Sequence, residues 1–316
     1  MSNPEDNRTV HEIEIAAAAD VVYRVIADAE SWPLRFTPTV HVEREPLAAG
    51  SERLRIWASG NGVVRNWSSI RTLDAARGQV RFRQEVSAPP VKSMSGTWTA
   101  TPVQDGRTRL TLTHEFEAVD DDPRQTAWIA EGTHQNSSTE LANVKRLAEG
   151  WGQLAELEFS FEDSMVVRGK PGDVYGFLYD ASKWPQRLPH VAELTLTEEE
   201  GSGIQKMSMW TRAKDGSRHL TESVRVCFPD ERLVYKQIVT AALIAAHTGE
   251  WLIEPAGDGD GVLVRSRHTV LLNEQALGTY PAAGATWEST REFVRASIGG
   301  NSVATLGSAK AFVEAL

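Results

Sequence analysis

The chain has 316 residues and a formal net charge of −10, with 33 basic against 43 acidic side chains and no Lys/Arg run, which argues against a nucleic-acid footprint or an anionic membrane surface as partner. Its single cysteine, Cys227, excludes an internal disulfide and a Cys-based structural zinc site, and fits a reducing compartment. No apolar run approaches the ~18 residues of a membrane span, and the N-terminal MSNPEDNRT lacks the apolar centre of a signal peptide, so a soluble, cytoplasmic protein is expected.

Residues 19 to 28 carry Val22, Val25 and Ile26 at helical spacing, and the Trp32-Pro33 pair that follows disfavours continuation, because the residue before proline is pushed out of the α region. In VVRNWSSIRTL, strand alternation puts Trp67, Ser69 and Arg71 on one face. If that face is the inner one, Arg71 needs a partner or a ligand; an ion pair with an inward carboxylate and a ligand-binding role are both open. Val80, Phe82 and Gln84 alternate with Arg81 and Arg83, Trp98 lies opposite Thr97 and Thr99, and Leu110, Leu112, His114 and Phe116 form one apolar face. Asp120 to Asp122 before Pro123 suit the start of a long helix near 124 to 150. Its stripe is Leu141, Val144, Leu147, Ala148 and Trp151. Asn136, 11 residues before Leu147 and about three turns away, is expected to look into the same interior, with a solvent-facing helix asparagine as the open alternative.

The chain then starts again. DAESWPLR at 28 to 35 recurs as DASKWPQR at 180 to 187, and Val174, Phe177 and Leu178 precede Trp184-Pro185 as the first helix precedes Trp32-Pro33. Ser69, Arg71, Gln84, Trp98 and His114 recur as Ser223, Arg225, Gln237, Trp251 and His268. The final helix, near 287 to 315, repeats the spacing of Asn136, Leu141, Lys145 and Glu149 in Asn301, Leu306, Lys310 and Glu314. Thr221 stands where Trp67 stands and His219 replaces Arg65, so the second interior is expected to be wider or more polar. WGQLAELEF at 151 to 159 is expected to run almost directly from one copy into the next.

Each copy thus reads as an early helix pair, a long antiparallel sheet and a closing helix. The expected fold class is α+β: two tandem helix-grip domains, 1 to 152 and 153 to 316, each a curved antiparallel sheet wrapped around a long C-terminal helix with an internal cavity. The sequence holds no P-loop, Rossmann glycine pattern, His-Glu-x-x-His helix or Gly-x-Ser-x-Gly elbow, and its eight histidines are scattered. No metal or cofactor is expected.

The Trp67-x-Ser69-x-Arg71 pattern, the Trp32-Pro33 pair after the first helix, the inward His114 and the whole-chain repeat resemble the di-domain aromatase/cyclases of bacterial type II polyketide synthases, built from START-like modules. The resemblance implies a cavity for a linear poly-β-ketone, tethered through phosphopantetheine to an acyl carrier protein and shared with other polyketide synthase subunits. It implies a cofactor-independent cyclase/dehydratase of the lyase class, closing the first ring by aldol chemistry (C7 to C12) and/or aromatising it. Arg71, Ser69 and His114, with Arg225, Ser223 and His268, become the expected catalytic groups, the first pocket carrying the more certain chemistry. Trp32, Trp67, Trp98, Gln84, Asn136, Trp184, Trp251, Gln237 and Asn301 become the expected substrate-binding groups. A START-like carrier that binds a hydrophobic ligand without changing it is the alternative. Arg212, Lys214 and Arg218 are a candidate basic patch for an acidic carrier protein, or an ordinary charged hairpin.

Overall fold

A computed structural model describes residues 7–48, 50–60, 63–212, 216–257, 261–277 and 284–316. The chain divides into two compact units, Met1–Gln153 and Leu154–Leu316. The first runs β1 (Arg8–Ile15), α1 (Ala19–Ala27), α2 (Trp32–Arg35), β2 (Thr39–Pro46), β3 (Ser51–Gly60), β4 (Val63–Asp74), β5 (Gln79–Gln84), β6 (Val91–Pro102), β7 (Thr108–Ala118) and α3 (Pro123–Glu149). After α4 (Trp151–Leu157) come β8 (Glu158–Val167), α5 (Pro171–Tyr179), α6 (Trp184–Arg187), β9 (Val191–Glu199), β10 (Ile204–Arg212), β11 (Arg218–Phe228), β12 (Arg232–Val239), β13 (Ile244–Pro255), β14 (Val262–Leu272) and α7 (Trp287–Val313). No helix among the described residues is long and apolar enough to cross a membrane.

Period-2 patterning makes each sheet, and the residue counts between strands make it a meander. The orders are β1-β7-β6-β5-β4-β3-β2 and β8-β14-β13-β12-β11-β10-β9, antiparallel throughout. Only the first strand of each unit pairs out of sequence, beside the last, which leaves the long helix to cover the apolar face. That face is Leu110, Leu112, His114 and Phe116 in β7, and Val264, Ser266, His268 and Val270 in β14, all buried. The repeated lysine–glutamate pair fixes the helix end. Lys145 Nζ donates to Glu14 O (2.7 Å) and Glu149 accepts from the Ala16 N–H (2.9 Å); Lys310 donates to Val166 O (2.7 Å) and Glu314 accepts from the Arg168 N–H (2.9 Å).

Two local expectations need correction. Trp32-Pro33 does not merely stop a helix: α1 already ends at Ala27, and the pair opens α2, where proline's missing N–H costs nothing in the first turn. Nor does the chain run straight into the second sheet, since α3 stops at Gly150 and Trp151–Leu157 forms α4. Trp151 therefore leaves the α3 stripe, and its ring lies under the Arg24 and Arg35 guanidiniums at 5.6 and 5.2 Å. Asp122 caps α3 as expected, accepting from the Arg124 N–H at 2.8 Å.

Gly96 and Gly249 occupy equivalent places where an aromatic ring crosses the strand. A Cβ on Gly96 would fall 2.4 Å from Phe82 Cζ and 2.4 Å from Thr113 O; on Gly249, 2.5 Å from Tyr235 Oη. Gly96→Ala should cost about 1–3 kcal/mol by overpacking, read as a lower denaturant midpoint at unchanged m-value; an unchanged midpoint would show that both the Phe82 ring and the β7 backbone at Thr113 can give way.

Candidate active site

In the first unit β4 brings Ser69 and Arg71 to the inner face, in register with Gln84 and Phe82 of β5 and with Leu54 and Glu52 of β3. Arg71 and Glu52 are 2 % and 3 % exposed and form an ion pair. The guanidinium also donates to the carbonyls of Ile26 (3.1 Å) and Ala27, at the C-terminal end of α1, where the helix dipole favours a cation. Burial pushes the Arg71 pKa down and Glu52 pulls it up; an arginine remains charged through this contest. The Trp32 ring lies over it with 5.2 Å from Cζ to centroid, and the indole N–H donates to Val25 O at 3.4 Å. Trp32 and Trp67 pack on Ala29, Val42, Leu54 and Ile56. Trp98 stands in register with Val80 and Leu112. Ser69 Oγ donates to Arg83 O at 3.1 Å, and Ser87 donates to Gln84 Oε1 at 2.9 Å. His114 Nδ1 lies 3.5 Å from Ser137 Oγ, with the ring edge-on to Phe82. Burial, then the charge of His11, holds the His114 pKa down at about 4. A pocket of about 260 Å³ opens between Ala27, Ala29 and Leu73 and the charged side chains of Arg24, Asp28, Glu30, Arg44 and Glu52; no aromatic residue lines it.

The second unit builds the same frame with different polar content. Arg225 donates to Leu178 O (2.6 Å) and Tyr179 O (3.5 Å) under the Trp184 ring, 5.5 Å from Cζ. Gln205 takes the place of Glu52, in register with Arg225, and its amide N–H donates to Glu198 at 3.1 Å. No carboxylate pairs with Arg225 among the described residues. His268, 2 % exposed, is surrounded: Nδ1 lies 3.1 Å from Tyr235 Oη and 3.1 Å from His247 Nε2, and Nε2 lies 2.8 Å from Ser302 Oγ and 3.0 Å from Ser266 Oγ. Burial holds both the His247 and His268 pKa values at about 3, helped by His268 at the first and by Arg295 at the second. Both rings are neutral at physiological pH. Cys227 is buried and free, its pKa pushed up to about 11 by burial.

A family profile described as polyketide cyclase/dehydrase and lipid transport matches residues 7–149 and again 158–311. The chain is 40 % identical, over 98 % of each sequence, to the actinorhodin polyketide synthase bifunctional cyclase/dehydratase of Streptomyces coelicolor. It is 38 % identical, over 97 % of this chain and 94 % of the relative, to the granaticin counterpart of Streptomyces violaceoruber. The crystal structure of the di-domain ARO/CYC BexL from the BE-7585A pathway superposes with a TM-score of 0.87 at 44 % identity, covering 98 % of this chain and 99 % of that one. The chain belongs to the di-domain polyketide aromatase/cyclases. Its two copies are thus the two domains of that family.

Within this family frame the expected residues divide. Trp67, Trp98, Ser69, Gln84, Arg71 and His114 share the inner face of the first sheet, with Trp32 of α2 against Arg71, and Trp251, Ser223, Gln237, Arg225 and His268 share that of the second, with Trp184 of α6 against Arg225. Asn136 does not join them: it is exposed. Leu147, from which it was placed, sits at the edge of the buried stripe, so three turns back lands just outside it. One residue on, about 100° round the helix, Ser137 is buried at the centre. Asn301 is half-buried, and its neighbour Ser302 reaches His268. In the candidate basic patch Arg218 pairs with Glu193 (2.8 Å) and stacks on Trp210, Arg212 is exposed, and Lys214 lies outside the described residues.

Sequence reasoning missed Glu52, Tyr235, His247 and the helix serines; strand alternation does put Ser266 on the inward face with His268, without assigning it to the site. The signal was the repeat itself. Phe82, Met94 and Leu112 stand at the register positions of Tyr235, His247 and Ser266 around Gly96–His114 and Gly249–His268.

Proposed function

We propose that the protein receives a linear poly-β-ketone on the phosphopantetheine arm of an acyl carrier protein, alongside other polyketide synthase subunits. It promotes regiospecific aldol closure of the first ring, C7 to C12, with loss of water toward an aromatic ring. The observation that carries this reading is a buried guanidinium under a tryptophan on each inner face, with a serine two residues away. The names of the relatives support it.

A methylene between two ketones is already acidic, so ring closure needs a folded chain and a stabilised enolate rather than a metal or redox group. Arg71 Nη1 and both terminal nitrogens of Arg225 keep a second N–H beyond the bonds to the helix carbonyls, while Arg71 Nη2 is also held by Glu52; the remaining N–H groups are suited to a developing oxyanion. Ser69 and Ser223 add hydroxyls, the tryptophans restrict the fold of the chain, and His114 and His268 are the acid–base groups.

The family description also includes lipid transport, which favours a rival, a carrier that binds without changing its ligand. A reconstituted minimal polyketide synthase separates the two when its products are analysed by mass spectrometry without the protein, with it, and with Arg225→Ala. The expected result is one ring pattern in place of spontaneous shunt products, formed about 10²- to 10³-fold more slowly by the variant. Products indifferent to all three conditions would leave the carrier reading standing.

A further inference from the structure

The two interiors are not equivalent in polarity, and the difference lies in one cluster. Where the first unit surrounds His114 with Phe82, Met94 and Leu112, the second surrounds His268 with Tyr235, His247 and Ser266, keeping the helix serine in both. Three further buried polar atoms on the same face have no hydrogen-bond partner among the described residues: Ser223 Oγ, Gln205 Oε1 and His247 Nδ1. Each such atom costs about 1–3 kcal/mol if nothing satisfies it, so a face with three of them, beside a cation unpaired by any described carboxylate, is suited to a polar ligand. Tyr235 links the two halves of the cluster: it stands in register with Arg225 and its hydroxyl reaches His268. It is half-buried, while Ser223, Arg225, His247 and His268 are buried.

We propose that the second unit holds the site at which water is lost, with His268 as base, Tyr235 as acid, and Arg225 and Ser223 on the ketone oxygen. The proposal rests on the cyclase reading above and deepens it: the substrate of this step is the β-hydroxy ketone left by aldol closure. A tautomer in which His268 Nε2–H donates to Ser302 leaves the Nδ1 lone pair facing Tyr235 and His247. Nδ1 takes the proton from the carbon between carbinol and ketone, and that electron pair forms the C=C bond as the C–O bond breaks. The departing oxygen takes the Tyr235 phenol proton and leaves as water. The proton on Nδ1 then crosses the 3.1 Å contact to Tyr235 Oη, and the protein ends as it began. Arg225 lowers the cost of the transient phenolate: burial pushes the phenol pKa up and Arg225 pulls it down. Ser302 and Ser266 are positioning residues that hold the tautomer.

The groups facing His268 are Tyr235 from β12, His247 from β13, Ser266 from β14, Ser302 and Arg295 from α7, and Phe161 from β8, against which its ring stacks at 4.7 Å. Arg295 is itself held by Asp163 at 2.6 Å.

The test uses the full chain in the reconstituted synthase, comparing wild type with Tyr235→Phe, His268→Gln and Ser302→Ala. Tyr235→Phe keeps the ring shape that Phe82 has in the first unit, so it should fold; thermal melts check each variant. The expected result is that Tyr235→Phe and His268→Gln still close the ring at the wild-type position but accumulate the product one water heavier, dehydration falling about a hundredfold or more. Ser302→Ala should shift the pH profile of water loss, and Ser302→Thr restore it. Wild-type product from folded Tyr235→Phe and His268→Gln would overturn the proposal, as would loss of ring closure along with dehydration. If wild type itself alters no product, the cyclase reading fails and the proposal falls with it.

Discussion

Arg71→Ala is expected to destabilise the first unit by about 3–5 kcal/mol, because it leaves Glu52 charged and buried without its main partner and orphans the Ile26 and Ala27 carbonyls. Arg44, itself 40 % exposed, still reaches the second Glu52 oxygen, and a partly exposed pair restores little of that loss. The equivalent Arg225→Ala strands no carboxylate among the described residues, since Gln205 stands there, and should cost nearer 1–3 kcal/mol through the Leu178 and Tyr179 carbonyls. Glu52→Gln in the Arg71→Ala background reproduces the Gln205–Ala pair of the Arg225→Ala variant and should recover most of the difference. Urea unfolding followed by tryptophan fluorescence reads all four proteins. Equal losses from the two arginine variants, or no recovery in the double variant, would mean that the Glu52 ion pair is not what distinguishes the sites. The double variant also allows the chemistry of the first pocket to be assayed in a folded protein.

The strands that carry these groups were legible because their period is 2 and their faces alternate cleanly. Glu52 shares parity with the apolar Leu54 and Ile56 of the same strand, and His247 shares parity with Trp251 and Ile253; both could have been read as inward. What alternation could not supply was the partner. Arg71 meets Ile26 and Ala27 only because α1 ends over β4, and Arg225 meets Leu178 and Tyr179 because α5 ends over β11; those meetings depend on where helices stop, set by capping rather than by periodicity. Helix phase failed for a related reason. A stripe widened by neighbouring elements has flank positions such as Leu147, and a residue placed three turns from a flank falls on the wrong side of it, as Asn136 did. The second histidine cluster was written in the repeat, but a search for what the two copies share passes over what they exchange: Phe82 for Tyr235, Met94 for His247, Leu112 for Ser266.

Acidification should unfold the second unit before the first, and at a pH where carboxylates are not yet responsible. His247 and His268 have folded-state pKa values of about 3 and His114 of about 4, all below the value of about 6.5 for an unfolded histidine. The sign follows from proton counts. Below pH ~6.5 the unfolded chain binds a proton at each of these positions and the folded chain does not, so their contribution to stability is whole above that pH and is lost as pH falls toward 4 in the first unit and 3 in the second. Each costs about 1.4 kcal/mol per pH unit over that window, so the two buried rings of the second unit give about twice the slope of the one in the first. His190 and His219 in the second unit and His11 in the first are lowered in the same sense, chiefly by burial. Carboxylates held low by arginine or lysine, Glu162 and Glu314 among them, act in the same direction, but the unfolded values they depart from lie near 4.3. The interval from pH 6.5 to 5 therefore belongs to the histidines. Denaturant unfolding at steps across it should show the second unit's transition falling faster, and His247→Met, which installs the first unit's side chain, should reduce its slope by about one proton. Parallel slopes in the two units, or a slope untouched by His247→Met, would show that the His268 cluster takes up protons while folded. An imidazole that charged so easily in the empty site would not be held neutral as the proposed base requires.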